Sequence, residues 1–225
     1  MMKTFFTITA LIALLAFVPA QKKKKVIFFG DSITAAGIKP GGYIKRIDSM
    51  INQQGLGAGY ELVGAGVSGN KIYDLYLRLE DDVLAKQPDI VVIYIGVNDV
   101  WHKRSFGTGT DTDRFEKFYT AIIKKLEERN IKVIVCTAAV IGEKTDFTNE
   151  LDGDLNKYCA HTRTIAAKAN LPLVDLRKIF LDYNLKNNPE NKESGILTTD
   201  RVHLNEKGNQ LVADEMWNVI KTIKY

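Results

Sequence analysis

A chain of 225 residues, 45% of them hydrophobic and 26% charged, is long enough to bury the core of one domain. Its 31 Lys and Arg residues against 27 Asp and Glu residues give a net charge of +4, too small to indicate a nucleic-acid partner. Its 2 cysteines exclude a disulfide scaffold, and its 3 histidines lack metal-ligand spacing, so no metal is expected.

Residues 1–20 are predicted to form a secretory signal peptide rather than part of the fold. Lys3 precedes an almost wholly apolar stretch over residues 5–18, and a small-residue cleavage site ends at Ala20. The apolar stretch is shorter than the about 20 residues of a membrane span. We therefore expect an exported protein, periplasmic or secreted, with one domain over residues 21–225 and no stable membrane insertion after cleavage. An uncleaved N-terminal anchor is the alternative.

Five short apolar runs, most of them rich in Val and Ile and four of them ended by or close to a glycine, predict strands. They cover residues 26–29, 60–63, 90–95, 132–140 and 173–174. Continuous apolar strands of this kind indicate a sheet that is buried on both faces.

Between the strands lie five longer stretches whose apolar residues recur at helical spacing. They cover residues 43–54, 72–84, 114–129, 151–169 and 205–223. The alternation of strands and helices predicts a three-layer α/β/α domain with a parallel sheet of about five strands. Cys136 lies in the fourth strand and Cys159 in a helix, and two buried free thiols are favoured over a disulfide.

Four polar blocks stand out against this pattern. Residues 30–34, 64–70 and 96–99 each follow one of the first three strands, and residues 200–203 precede the last helix. Ligands of an open parallel sheet bind beyond the carboxyl ends of its strands. We therefore expect the blocks to meet at one edge of the sheet.

The blocks contain the parts of a nucleophilic acyl-transfer site. Ser32 is a candidate nucleophile, His203 the base that would take its proton, and Asp200 the carboxylate that would orient the imidazole. The backbone N–H groups of Ser32 and Gly69 and the side-chain amide of Asn98 are candidate donors to an oxyanion. The alternatives are that Ser32 only caps a helix and that Asp200 is a surface residue.

These blocks resemble the motifs of the GDSL, or SGNH, hydrolase family. The four residues of the family name are matched in order by Ser32, Gly69, Asn98 and His203. Asp200 matches the acid of the family's Asp-x-x-His, and Ile33 stands where the family name has Leu. The resemblance covers residues 26–208 and implies a flavodoxin-like fold, an acyl-serine intermediate and no cofactor.

Other side chains near the blocks are predicted to support the site. Trp101 and His102 follow Asn98 in what we predict to be a loop, and they are candidate substrate contacts, with ordinary loop packing as the alternative. Asp31 and Asp99 are expected to brace their loops rather than to react.

The expected function is that of a serine esterase acting on acyl esters, foremost acetyl esters, of carbohydrates. Its partner would be a small-molecule or polysaccharide ester. Lysophospholipase and thioesterase activities are the alternatives within the family, and acyl transfer to an alcohol stays open. A noncatalytic carbohydrate-binding protein on the same fold is the alternative from another class.

Overall fold

The computed structural model describes residues 22–224, so the predicted signal peptide at residues 1–20 lies outside the described part of the chain. Within that part, no helix has the length and apolar character needed to cross a membrane.

A parallel five-stranded sheet forms the centre of the described chain. Its strands are β1 (Lys24–Gly30), β2 (Tyr60–Gly66), β3 (Ile90–Tyr94), β4 (Lys132–Cys136) and β5 (Leu173–Val174). They lie side by side in the order β2-β1-β3-β4-β5, which is the order of flavodoxin-like domains. The predicted fold class is therefore confirmed. The fourth strand is shorter than predicted, because the chain leaves the sheet after Cys136, where the two-residue β5 ends beside it.

Nine α-helices accompany the strands within residues 22–224. They are α1 (Ser32–Gly37), α2 (Tyr43–Gln53), α3 (Ile72–Leu77), α4 (Leu79–Asp82), α5 (Val97–Phe106), α6 (Thr112–Glu127), α7 (Asp152–Lys168), α8 (Leu176–Asn187) and α9 (Glu206–Ile220). The predicted helices match α2, α6, α7 and α9 to within a few residues.

The single helix predicted over residues 72–84 is wrong. The structure has α3 and α4 there, with the break at Arg78. The positions that suggested one helix, among them Leu75 and Leu79, are buried. The backbone nevertheless turns at Arg78, whose side chain donates to carbonyl oxygens at the ends of β1 and β2.

The prediction of a loop after the third strand is also wrong, because residues 97–106 form α5. The first four residues of α5 are buried and residues 103–106 are exposed, so this helix has no apolar stripe along its length. Such a helix escapes a search for hydrophobic periodicity.

The sheet is buried between the helices. Residues 26–29 of β1 and residues 90–93 of β3 are wholly inaccessible to solvent. Cys136 and Cys159 are both buried and unpaired, as predicted, and burial raises the pKa of the Cys159 thiol to about 11.

Candidate active site

The first three polar blocks lie together because β2, β1 and β3 are neighbours in the sheet. At the carboxyl end of β1, Gly30 pairs with Gly66 of β2 and with Tyr94 of β3. A Cβ atom on Gly30 would lie 2.4 Å from the carbonyl oxygen of Tyr94, so only glycine fits where the chain turns into α1. The three blocks therefore begin at the same edge of the sheet, as predicted.

Ser32 is the first residue of α1, and its hydroxyl faces the C-terminal block. The Asp31 side chain caps this helix by accepting the Ile33 N–H at 3.0 Å, so the Ser32 hydroxyl is not needed as a cap. Ser32 Oγ lies 2.9 Å from Nε2 of His203. The two residues are separated by 171 positions in the chain, and the fold brings them within hydrogen-bond distance.

Asp200 and His203 form a local turn before α9. Asp200 Oδ1 accepts the N–H groups of Val202 and His203 at 3.2 and 2.8 Å, and Oδ2 lies 2.7 Å from Nδ1 of His203. Partial burial acts to raise the pKa of Asp200, but these hydrogen bonds outweigh it and hold that pKa below its ordinary value. The carboxylate is therefore ionised at neutral pH and fixes the imidazole so that Nε2 faces Ser32.

Three potential hydrogen-bond donors lie in the polar blocks that follow β1, β2 and β3. Within residues 22–224, no acceptor takes the N–H of Ser32 or of Gly69. Asn98 in the first turn of α5 is 3% exposed, and its Nδ2 donates to the carbonyl oxygen of Asn70 at 3.1 Å. This bond uses one of the two amide protons and fixes the side chain, which leaves the second proton available. Each of the three donors predicted for the oxyanion thus follows the carboxyl end of one of the neighbouring strands β1, β2 and β3.

Arg78, which the sequence did not suggest, ties these strand ends together. Its guanidinium donates to the carbonyl oxygens of Gly30 at 2.7 Å and Ala65 at 3.0 Å, and to Oδ1 of Asn70 at 2.7 Å. The planar group also lies 4.5 Å from the centre of the Phe29 ring. Arginine suits this position because its five donors have a fixed geometry.

The loop that contains Gly69 is held from both sides. Lys71 is buried, and its Nζ donates to the Gly69 carbonyl oxygen at 2.8 Å. Asp99 is also buried, and its Oδ1 accepts the N–H of Ile72 at 3.2 Å. These contacts link the loop after β2 to α5, so Asp99 braces the site as predicted. Gly69 itself has a φ of +78°, a conformation that favours glycine.

The family model for GDSL-like lipases and acylhydrolases matches residues 28–211. The chain belongs to that family. It is a carboxylic ester hydrolase, a serine esterase, as its sequence predicted.

Relatives of known structure share this fold. The crystal structure of an acetyl xylan esterase, AlAXEase, is 62% identical, covers 88% of this chain and 100% of its own, and superposes with a TM-score of 0.86. A catalytic mutant of Axe2, an acetylxylan esterase from Geobacillus stearothermophilus, is 25% identical, covers 89% of this chain and 95% of its own, and superposes with a TM-score of 0.78.

Two relatives match most of the chain by sequence. An acetylxylan esterase of Geobacillus stearothermophilus is 27% identical over an alignment 206 residues long, which covers 84% of this chain and 90% of the relative. An uncharacterized lipoprotein of Bacillus subtilis is 23% identical over an alignment 231 residues long, which covers 94% of this chain and 95% of the relative.

The esterase has a further supporting residue that the sequence did not suggest. Glu143 is 1% exposed and follows the end of β4. Its carboxylate accepts three successive N–H groups, those of Ile196 at 2.8 Å, Leu197 at 2.6 Å and Thr198 at 2.8 Å. These residues directly precede the turn that begins at Asp200. Glu143 therefore anchors the segment that carries the carboxylate and imidazole.

We expect Glu143→Gln to lower the free energy of unfolding by about 2–3 kcal/mol, since an amide nitrogen replaces one oxygen that accepts a buried N–H. The kcat for an ester should fall as well, because the segment before Asp200 loses an anchor. Thermal melting and steady-state kinetics would measure both. Glu190→Gln is the control, since Glu190 is exposed and pairs only with Lys192. Equal melting temperatures for the two variants would contradict the anchoring role.

Trp101 and His102 lie on α5, close to the site. Trp101 is partly buried and packs against the core. His102 lies beside Gly69, where an added Cβ would be 3.6 Å from its Cε1, and its ring stacks edge-on against Phe106 at 4.9 Å. Burial, and then the charge of Lys71, lower the pKa of His102, so the ring is neutral at neutral pH.

Two carboxyl groups of the polar blocks, those of Asp31 and Asp99, are buried. Burial raises the pKa of Asp31 to about 7, with a smaller contribution from the charge of Asp99, and burial also raises the pKa of Asp99 to about 7. Within residues 22–224, no group of three or more His, Cys, Asp or Glu side chains is arranged to hold a metal ion.

The raised pKa of Asp31 predicts a stability that depends on pH. The folded state binds this proton more tightly than the unfolded chain, whose pKa is near 3.8, so the contribution to stability is present at low pH. It is lost as the pH rises through about 7. Asp31→Asn should therefore melt at a higher temperature than the wild type at pH 8, and the difference should shrink toward pH 4.

Melting curves of the wild type and Asp31→Asn between pH 4 and pH 8 would test this expectation. Asn keeps an oxygen that can accept the Ile33 N–H, so the cap of α1 is retained. Asp113→Asn, which changes an exposed carboxylate on α6, is the control. A constant difference between Asp31→Asn and the wild type at every pH would show that Asp31 does not titrate in this range.

Proposed function

We propose that this esterase removes acetyl groups from O-acetylated carbohydrates of the xylan type through an acyl-Ser32 intermediate. The observation that carries the proposal is the continuous set of hydrogen bonds from Asp200 through His203 to Ser32. Its distances of 2.7 and 2.9 Å allow a proton to move from the hydroxyl to the imidazole as the oxygen attacks.

In the first step, Ser32 Oγ attacks the carbonyl carbon of the ester while His203 Nε2 takes its proton. The negative charge of the tetrahedral intermediate lies on the former carbonyl oxygen, where the N–H groups of Ser32 and Gly69 and the amide of Asn98 would donate hydrogen bonds. Asp200 stabilises the imidazolium that forms. When the intermediate collapses, His203 returns the proton to the sugar oxygen, which leaves as an alcohol.

In the second step, a water molecule takes the place of the sugar. His203 accepts a proton from the water as the oxygen attacks the acyl carbon, and acetate is released when Ser32 Oγ regains its proton. An acyltransferase would form the same acyl-serine intermediate. It would differ only in that an alcohol, and not water, reaches the acyl group.

The relatives support the choice of substrate. Two acetylxylan esterases, one of them 62% identical, match nearly the whole described chain. For Axe2, the replacement of a serine by alanine makes a catalytic mutant, which agrees with a serine nucleophile. The aromatic side chains of Trp101 and His102 near the site suit the flat faces of a sugar ring better than a flexible acyl chain.

Hydrolysis of p-nitrophenyl esters from acetate to palmitate, together with acetate release from acetylated xylo-oligosaccharides, would test the proposal. We expect the rate to be highest on acetate, to fall with chain length, and to be accompanied by release from the oligosaccharide. A preference for palmitate would favour a lysophospholipase, and a preference for acyl thioesters a thioesterase. Sugar binding without any ester hydrolysis would favour the noncatalytic alternative.

The proposal includes export of the esterase. Residues 1–20 contain a positive charge, an apolar stretch and a small-residue cleavage site, in the order typical of a signal peptide. Mature protein recovered from the native host should begin near Gln21, and N-terminal sequencing would establish this. An N-terminus at Met1 or Met2 in the mature protein would contradict a cleaved signal and favour an N-terminal anchor.

A further inference from the structure

A polar cleft opens beside the proposed catalytic turn. It has a volume of about 390 Å³, within the range of small-ligand pockets. Its walls come from α5, from the segment after β4 and from the segment that leads to Asp200. Its lining includes Trp101, Arg104, Lys144, Glu150, Glu193 and Arg201.

One wall of the cleft is a fixed aromatic ring. Trp101 is partly buried and packs against the core, which restricts its motion, and it also lines the cleft. A rigid indole face binds the C–H face of a sugar at a low cost in side-chain entropy.

Four of the five charged side chains of the cleft form two ion pairs. Arg104 and Glu150 approach to 2.8 Å, and Arg201 Nε lies 3.0 Å from Glu193 Oε1. Lys144 adds one more cation, so the two signs nearly cancel. Guanidinium and carboxylate groups offer several donors and acceptors for hydroxyl groups, whereas walls this polar do not suit an acyl chain. The cleft therefore fits a neutral ligand with many hydroxyl groups.

Arg201 connects the cleft to the turn between Asp200 and His203. Its φ of +84° is a left-handed conformation that is costly for a residue other than glycine. It is held there by the N–H of Gly142, which donates to the Arg201 carbonyl oxygen at 2.8 Å. Arg201 lines the cleft and lies two positions before His203, so a ligand in the cleft would contact the turn that carries the imidazole.

We propose that this cleft binds the sugar unit next to the acetylated one, so that the glycan is aligned while its acetyl group lies at Ser32. This inference rests on the proposed function, because it assumes a carbohydrate ester as substrate. Trp101 would stack on the sugar, and the Arg104–Glu150 and Arg201–Glu193 pairs would bind its hydroxyl groups.

Binding of unacetylated xylotetraose tests the cleft without any reaction. The chain has 2 tryptophans, and Trp217 is 2% exposed, so a fluorescence change on titration would report on Trp101. We expect saturable binding by the wild type, about tenfold weaker binding by Arg104→Gln in calorimetry, and loss of the fluorescence response in Trp101→Leu. Arg104 is exposed, so its replacement does not threaten the fold.

Arg129→Gln is the matched control, because it also breaks an exposed Arg–Glu pair, at 3.5 Å from Glu80 and outside the cleft. It should bind xylotetraose as the wild type does. Wild-type affinity in Arg104→Gln and Trp101→Leu, or no binding by the wild type, would overturn the cleft proposal.

Acetate release from acetylated xylo-oligosaccharides separates this proposal from the proposed function. If the wild type releases acetate but the cleft variants bind and react as it does, the function holds and the cleft proposal fails. If the wild type binds xylotetraose through Trp101 but releases no acetate, the cleft proposal holds and the function fails. If both are right, kcat/KM on the oligosaccharide should fall more in Arg104→Gln than kcat/KM on p-nitrophenyl acetate.

Discussion

Replacing Ser32 with alanine should lower kcat for p-nitrophenyl acetate by about 10⁶-fold, the loss seen when a serine hydrolase is deprived of its nucleophile. The reason is that no acyl-enzyme can form once Oγ is gone. The fold should persist, because the cap of α1 is the side chain of Asp31 and not that of Ser32. Stopped-flow or overnight assays would be needed to cover the range of rates.

The control for this variant is Ser49→Ala. Ser49 is exposed on α2, and its hydroxyl donates only to the carbonyl oxygen of Lys45. It should keep the wild-type rate and melting temperature. A Ser32→Ala protein that is folded and retains more than about a tenth of the activity would require a different nucleophile, and the assignment of His203 as its base would fail with it.

Replacing Asn98 with alanine should lower kcat by about a hundredfold or more, equivalent to about 3 kcal/mol of barrier, with a smaller change in KM. The amide would donate more strongly to the oxyanion than to the carbonyl oxygen of the bound ester, so its loss affects mainly the transition state. The side chain is already positioned, since Nδ2 donates to the Asn70 carbonyl oxygen.

Loss of that bond should reduce stability by about 1 kcal/mol, so a melting curve separates the catalytic effect from the structural one. Asn187→Ala is the control, because Asn187 is exposed on α8 and its amide donates to the carbonyl oxygen of Tyr183 at 2.8 Å. A kcat for Asn98→Ala within about threefold of the wild type would remove Asn98 from the oxyanion site.

The sequence determined the five strands, the four helices α2, α6, α7 and α9, and the content of the polar blocks. Buried parallel strands are continuous apolar runs, and amphipathic helices such as α2 and α6 repeat their apolar residues at a fixed spacing. Both patterns are local, so they can be detected in the chain without its fold. Asp200 and His203 are likewise close in sequence, and their contact needs only one turn.

Tertiary structure alone decided how the blocks are joined. Ser32 meets His203 across 171 positions, and Arg78 and Glu143 each bind backbone groups of distant segments. A side chain that donates to or accepts from a remote backbone leaves no periodic pattern, because any residue can supply the backbone partner. The break between α3 and α4 and the cleft beside Arg201 lie where such distant segments meet, and α5 has no apolar stripe along its length, so no local pattern predicted them.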